Sequence, residues 1–114
     1  MKRILLIDRD EHFLELARLG LEERLGLEIV ALPSAEEAIN LLKKEISFDL
    51  VISDYQEETL LFLVSKKSVV PFFYFTDEHR IEIPFTPTMF VGVFRRRQFK
   101  ELCESVIHIM KRKE

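Results

Sequence analysis

The sequence predicts an α/β domain built on a doubly wound, five-stranded parallel sheet, and three observations carry that prediction. Five short apolar runs are nearly continuous rather than alternating, as strands covered on both faces of a parallel sheet are. The segments between most of them show helical spacing. The two kinds of segment alternate along the chain, a pattern that right-handed crossovers convert into a layered sheet. The 114 residues suffice for one domain with a real core, expected to occupy 1–114.

The first run covers residues 4–7 and ends at Asp8. Behind it Phe13, Leu16, Ala17, Gly20, Leu21 and Arg24 follow i, i+3, i+4 steps, with Asp10 as N-cap and Gly26 as the stop. The second run is Glu28–Leu32. Ser34 and Glu37 then form a capping box for a helix whose buried stripe is Ala38, Ile39, Leu41, Leu42 and Ile46. The third run, 50–52, leads into Ser53 and Asp54, and a short third helix is expected over 58–66. The fourth run, 69–75, ends in Thr76 and Asp77. The connection after it, 77–87, is rich in β-branched residues and proline, which disfavours a long helix, so the third and fourth connections are both shortened. The fifth run is 89–94. The last helix is expected over 97–111, burying Phe99, Leu102, Cys103, Val106, Ile107 and Met110.

Composition excludes several classes. The chain is 47% hydrophobic and 32% charged, with a net charge of −3, so no basic surface invites nucleic acid. Asp8 cuts the first apolar run too short for a signal peptide or a membrane span. One cysteine, Cys103, builds neither a disulfide framework nor a cysteine-rich metal site. These features predict a reducing, cytoplasmic setting. With only Gly20, Gly26 and Gly92, no phosphate-cradling loop is available, which removes a P-loop and a dinucleotide fingerprint. His79 and His108 lack zinc-ligand spacing, and His12 reads as an exposed residue.

In a doubly wound sheet the functional crevice lies beyond the carboxyl ends of the strands, where the strand order reverses. Strand 1 ends in Asp8-Arg9-Asp10, strand 3 in Ser53-Asp54 and strand 4 in Thr76-Asp77. With the order 2-1-3-4-5, strands 1, 3 and 4 are neighbours and these groups converge. A single aspartate there reads as a helix cap or a solvated strand end; acids or hydroxyls at three strand ends favour a site.

The stretches RILLIDRDE, FDLVISDY and VVPFFYFTD resemble the first, third and fourth strands of response-regulator receiver domains. The resemblance spans almost the whole chain and is specific over its first half and at Thr76. It implies a phosphorelay signalling domain and not an enzyme, with the 2-1-3-4-5 order of receiver and flavodoxin-like sheets. Asp54 would be the phosphoacceptor and Thr76 the hydroxyl that bonds the phosphoryl group. Asp8, Asp54 and the backbone carbonyl of Gln56 would hold Mg²⁺. Met89 or Phe90 would stand at the switch aromatic of strand 5. A histidine kinase or phosphotransfer protein would be the donor, and a homodimer would form through the surface around strand 5. The chemistry is consistent: a carboxylate attacks a phosphoryl group only where positive charge offsets the anion, and an oxygen-ligated Mg²⁺ supplies it.

Three departures from the family pattern matter. Arg9 replaces the second acid; its guanidinium would repel Mg²⁺ or pair with Asp54 as a fork, leaving Asp10 as the alternative metal ligand, although one residue on its side chain should point differently. Tyr55-Gln56-Glu57-Glu58 runs almost directly into the next helix where the family has a glycine-containing loop. The strand-5 lysine has no match: the alignment puts Gly92 at its position and Val93 at the usual proline, leaving an arginine among 95–97 to reach the pocket. Otherwise those arginines are a solvated turn or meet an acidic partner. Two readings stand, a phosphoacceptor at Asp54 and a phosphorylation-independent pseudo-receiver acting as an interaction or dimerisation module. A flavin or nucleotide site is disfavoured by the missing phosphate loops. The aromatics Phe72, Phe73, Tyr74, Phe75, Phe85, Phe90 and Phe94 crowd strands 4 and 5 and are read mainly as core, with some available to a dimer contact.

Overall fold

The computed structural model describes residues 2–44, 46–83 and 87–112. Along the chain run β1 (Arg3–Ile7), α1 (Glu11–Leu25), β2 (Glu28–Leu32), α2 (Ala35–Lys43), β3 (Leu50–Ser53), α3 (Glu57–Ser65), β4 (Phe72–Phe75), β5 (Phe90–Phe94) and α4 (Phe99–Arg112), the last entered through a 3-10 turn at Arg96–Gln98. The strands form one sheet in the order β2-β1-β3-β4-β5, every pair parallel. The predicted architecture is the observed one.

Local chemistry sets the element ends. Asp10 accepts a hydrogen bond from the Phe13 N–H at 3.1 Å and starts α1. Gly26 ends it with φ 63°, a left-handed conformation that costs glycine little, and its N–H bonds the Glu22 carbonyl. Ser34 caps α2 through the Glu37 N–H at 3.2 Å. No helix occurs among the described residues between β4 and β5, as the proline-rich connection predicts. Phe85 and Lys113 lie outside the described residues.

Alternate residues of each strand enter opposite cores, which is why the runs read as continuous. On one face Ile4, Leu6, Ile52, Phe73 and Phe75 pack with Leu14, Ala17 and Leu21 of α1 and Leu102, Cys103, Val106 and Met110 of α4. On the other, Leu5, Ile7, Val51, Phe72 and Tyr74 pack with Ala38, Leu60 and Leu63 from α2 and α3. A Cβ on Gly20 would lie 2.9 Å from the Phe99 ring, so the glycine lets that aromatic fill the seam between α1 and α4. Two expectations need correction. Ile107 and Leu16 are exposed, because each sits at the margin of its helix's buried stripe. Among the described residues no helix is long and apolar enough to cross a membrane.

Candidate functional site

The register fixes the rim. Ile7 pairs with Ser53, and Ser53 with Tyr74, so Asp8, Asp54 and Thr76 emerge together at the carboxyl ends of β1, β3 and β4. All three are buried and line one cavity of about 360 Å³ with Arg9, Asp10, Asp77, Glu78, His79 and Arg96.

Both oxygens of Asp54 are engaged. Its Oδ2 accepts from the Arg9 backbone N–H and from Arg9 Nε, each at 3.1 Å, and its Oδ1 takes the Gln56 side-chain amide. Arg9 does not form the fork expected: one nitrogen meets Asp54 while Nη2 donates to the Tyr55 carbonyl at 3.2 Å. The guanidinium bridges a carboxylate and the next carbonyl, and remains 62% exposed. Gln56 enters the site through its side chain, whose Oε1 also accepts the Ala35 N–H at 3.3 Å and so ties the start of α2 to the pocket.

Asp8 lies deeper. Its Oδ1 accepts the Asp10 N–H at 2.9 Å, and Arg96 Nη2 approaches both its oxygens at 3.4–3.5 Å. Burial raises the Asp8 carboxyl to about 6; the Asp10 N–H opposes this, the Asp54 charge adds to it, and Arg96 lowers it again. Asp10 caps α1 and faces Arg96 Nη1 at 3.5 Å. Its carboxyl is held below the usual range by the Phe13 N–H and by Arg96. The Arg96 guanidinium sits 3.9 Å from the centroid of the Phe13 ring.

Thr76 Oγ1 accepts the Glu78 N–H at 3.1 Å, and its own N–H bonds the Phe94 carbonyl. Arg95 donates to the carbonyls of Thr76 and Glu78, and the Arg96 N–H to Asp77 Oδ1 at 3.0 Å. The turn 76–78 is thereby clipped to the start of the last helix.

The register of strand 5 sets which of its residues face the rim. Gly92 pairs with Phe73 and Phe94 with Phe75, so Phe94, and not Gly92, stands level with Asp54. The register shift between Phe72 and Phe73 moves the strand relative to a simple count. Met89 and Phe90 lie at the amino end of β5, where Phe90 meets Phe72 and Tyr74, at the end of the strand away from the Thr76 pairing with Phe94. Sequence reasoning missed the Gln56 amide, the Phe13 platform and the division of work between Arg95 and Arg96. The available signal was a missing strand-5 lysine followed by three arginines.

The donor set does not fit Mg²⁺ in this arrangement. That ion takes octahedral oxygens at about 2 Å. Here two guanidinium groups already contact the acids that would hold it, Arg9 on Asp54 and Arg96 on Asp8.

No protein-family model matches the chain, and no curated protein matches it by sequence. Solved structures do. A Francisella response-regulator receiver domain superposes with a TM-score of 0.83 at 17% identity, covering 100% of both chains. The Thermotoga maritima response regulator TrrA, solved in complex with Mg²⁺-BeF, gives 0.82 at 26% identity over 96% of this chain and 99% of its own. The receiver domain of the hybrid histidine kinase CckA gives 0.72 at 20%, covering 94% and 97%. With its sheet order and near-complete overlap, the chain has the fold of a response-regulator receiver domain.

Proposed function

We propose that this chain is a receiver-like signalling domain that works through protein contacts without phosphorylation, held in one conformation by the Arg9–Asp54 pair. The observation that carries this is the state of Asp54. Its two oxygens take three internal N–H donors, from Arg9 twice and from Gln56. A nucleophilic carboxylate needs an oxygen free to attack and a cation placed on the incoming phosphoryl group. Arg9 instead neutralises the nucleophile itself. The partner is then a protein of a two-component pathway, and the domain has no catalytic turnover.

The second reading keeps Asp54 as phosphoacceptor, with a histidine kinase or phosphotransfer protein as donor. Favouring it, Asp8, Asp54 and Thr76 share one cavity, and the exposed Arg9 guanidinium has room to swing away. Incubation with acetyl phosphate and Mg²⁺, followed by intact mass spectrometry, separates the two. The expected result is no phosphoryl adduct, beside a receiver of ordinary sequence that forms one. An adduct that disappears in Asp54→Asn overturns the first reading and establishes the second.

A further inference from the structure

The disagreement between this pocket and a divalent cation has a structural author, Arg96. Its backbone is fixed where β5 passes into the last helix, by the Asp77 carboxylate on its N–H. Its guanidinium lies over the Phe13 ring at 3.9 Å, with Nη1 at 3.5 Å from Asp10 and Nη2 at 3.4 Å from Asp8 Oδ2. Its Nε is buried without a hydrogen-bond partner. That buried N–H sets the contact apart from a casual surface ion pair, in which a long side chain keeps its polar atoms in water. Phe13 in turn rests on Phe75, and Phe75 on Phe99, so the platform beneath the guanidinium is a row of core rings.

We infer that Arg96 is the resident cation of this pocket: it neutralises Asp8 and Asp10 from within the chain and keeps divalent ions out. Arg96 and a metal compete for the same carboxylate: an ion close enough to bind Asp8 directly would meet a guanidinium that already lies 3.4 Å from its Oδ2, and the repulsion weighs against the second cation. The aromatic face supplies what a hydrated metal does not need, a flat electron-rich surface suited to a planar cation. The inference rests on reading this rim as a receiver-type acid pocket, and is independent of whether Asp54 accepts phosphate.

The test is a Mn²⁺ titration of the whole chain at neutral pH, read by electron paramagnetic resonance of the free ion. Wild type should leave the free signal unchanged. Arg96→Met, which keeps an apolar stem on Phe13 and removes the charge, should bind Mn²⁺ at least about tenfold more tightly. Adding Asp8→Asn to that variant should abolish the gain. Wild-type binding as tight as that of Arg96→Met, or a gain that survives Asp8→Asn, overturns the inference. If Arg96→Met does not fold, ¹⁵N and ¹³C NMR of wild type decide: the Arg96 Nε–Hε resonance should not move under excess Mg²⁺, and a shift shared with the Asp8 carboxyl carbon overturns it. A phosphoryl adduct on Asp54 that forms equally well without Mg²⁺ would remove the Arg9 reading and leave this one standing, and an adduct that requires Mg²⁺ would overturn both. Mn²⁺ binding by wild type without an adduct would do the reverse.

Discussion

On one side of the sheet β2, β1 and β3 pair residue for residue, with α1 and α2 as their crossovers; on the other, β4 and β5 shift register between Phe72 and Phe73 and are joined without a helix among the described residues. A crossover helix buries a strand and aligns it in one stroke. Where it is missing, both tasks fall to side chains. Phe72, Tyr74 and Phe90 form one set of ring contacts and Phe73 meets Phe94 on the opposite face, which pins β5 to β4. The connection itself is tied by polar clips. The Tyr55 hydroxyl donates to the Glu82 carbonyl at 3.0 Å and accepts the Glu82 N–H at 2.9 Å, imitating a sheet bond with one side chain. Arg95 holds the carbonyls of Thr76 and Glu78. The site therefore has a rigid wall from β1 and β3 and a clipped wall from β4 and β5.

The sharpest way to break this contrast is Phe73→Ala. The ring is fully buried at the β4–β5 junction, so truncation should cost about 3–5 kcal/mol in urea unfolding. A loss below about 1 kcal/mol would mean that aromatic packing does not hold the second half.

Next in size is Asp8→Asn on the rigid wall. A carboxyl raised from 3.8 to about 6 by burial holds its proton more tightly in the folded state than in the unfolded one. Its contribution is fully present below about pH 4 and lost as pH rises through about 6, for a total of about 3 kcal/mol. Asn retains an acceptor for the Asp10 N–H. In metal-free buffer the variant should therefore gain stability over wild type between about pH 4 and pH 8, and a difference that stays flat with pH would sink the assignment.

The smallest effect is Tyr55→Phe, which removes the clip and keeps the ring on Tyr74. About 1 kcal/mol should be lost. The diagnostic readout is hydrogen exchange: the Glu82 amide should exchange faster while β1 and β3 are unchanged. Uniform change across the sheet would erase the distinction between the two walls.

The same division governs how much the sequence disclosed. The runs at 4–7 and 50–52, the Asp10 cap, the Gly26 stop and the Ser34 cap are local signals, and they located β1, α1, α2 and β3 and set Asp8 beside Asp54. Thr76 was legible because its strand ends at it. The second half depends on contacts between distant residues. No count along the chain reveals that β5 slips against β4 between Phe72 and Phe73. The choice among three arginines is of the same kind, since Arg96 reaches the acids only because Asp77 fixes its backbone and Phe13 offers a ring. The sequence pairs Arg9 with Asp54, yet no fork forms, because the Tyr55 carbonyl competes for the second nitrogen.

Lys2 donates through Nζ to the Met110 carbonyl at 2.6 Å, which joins the start of β1 to the last turns of α4. β1 runs from that junction to Asp8, so the ends of the described chain meet at the pole facing away from the acids. Any polypeptide continued from either end would set out from this far pole, about 17 Å of strand from the pocket. A fluorescent label or affinity handle placed there leaves the acid rim open to whatever docks on it.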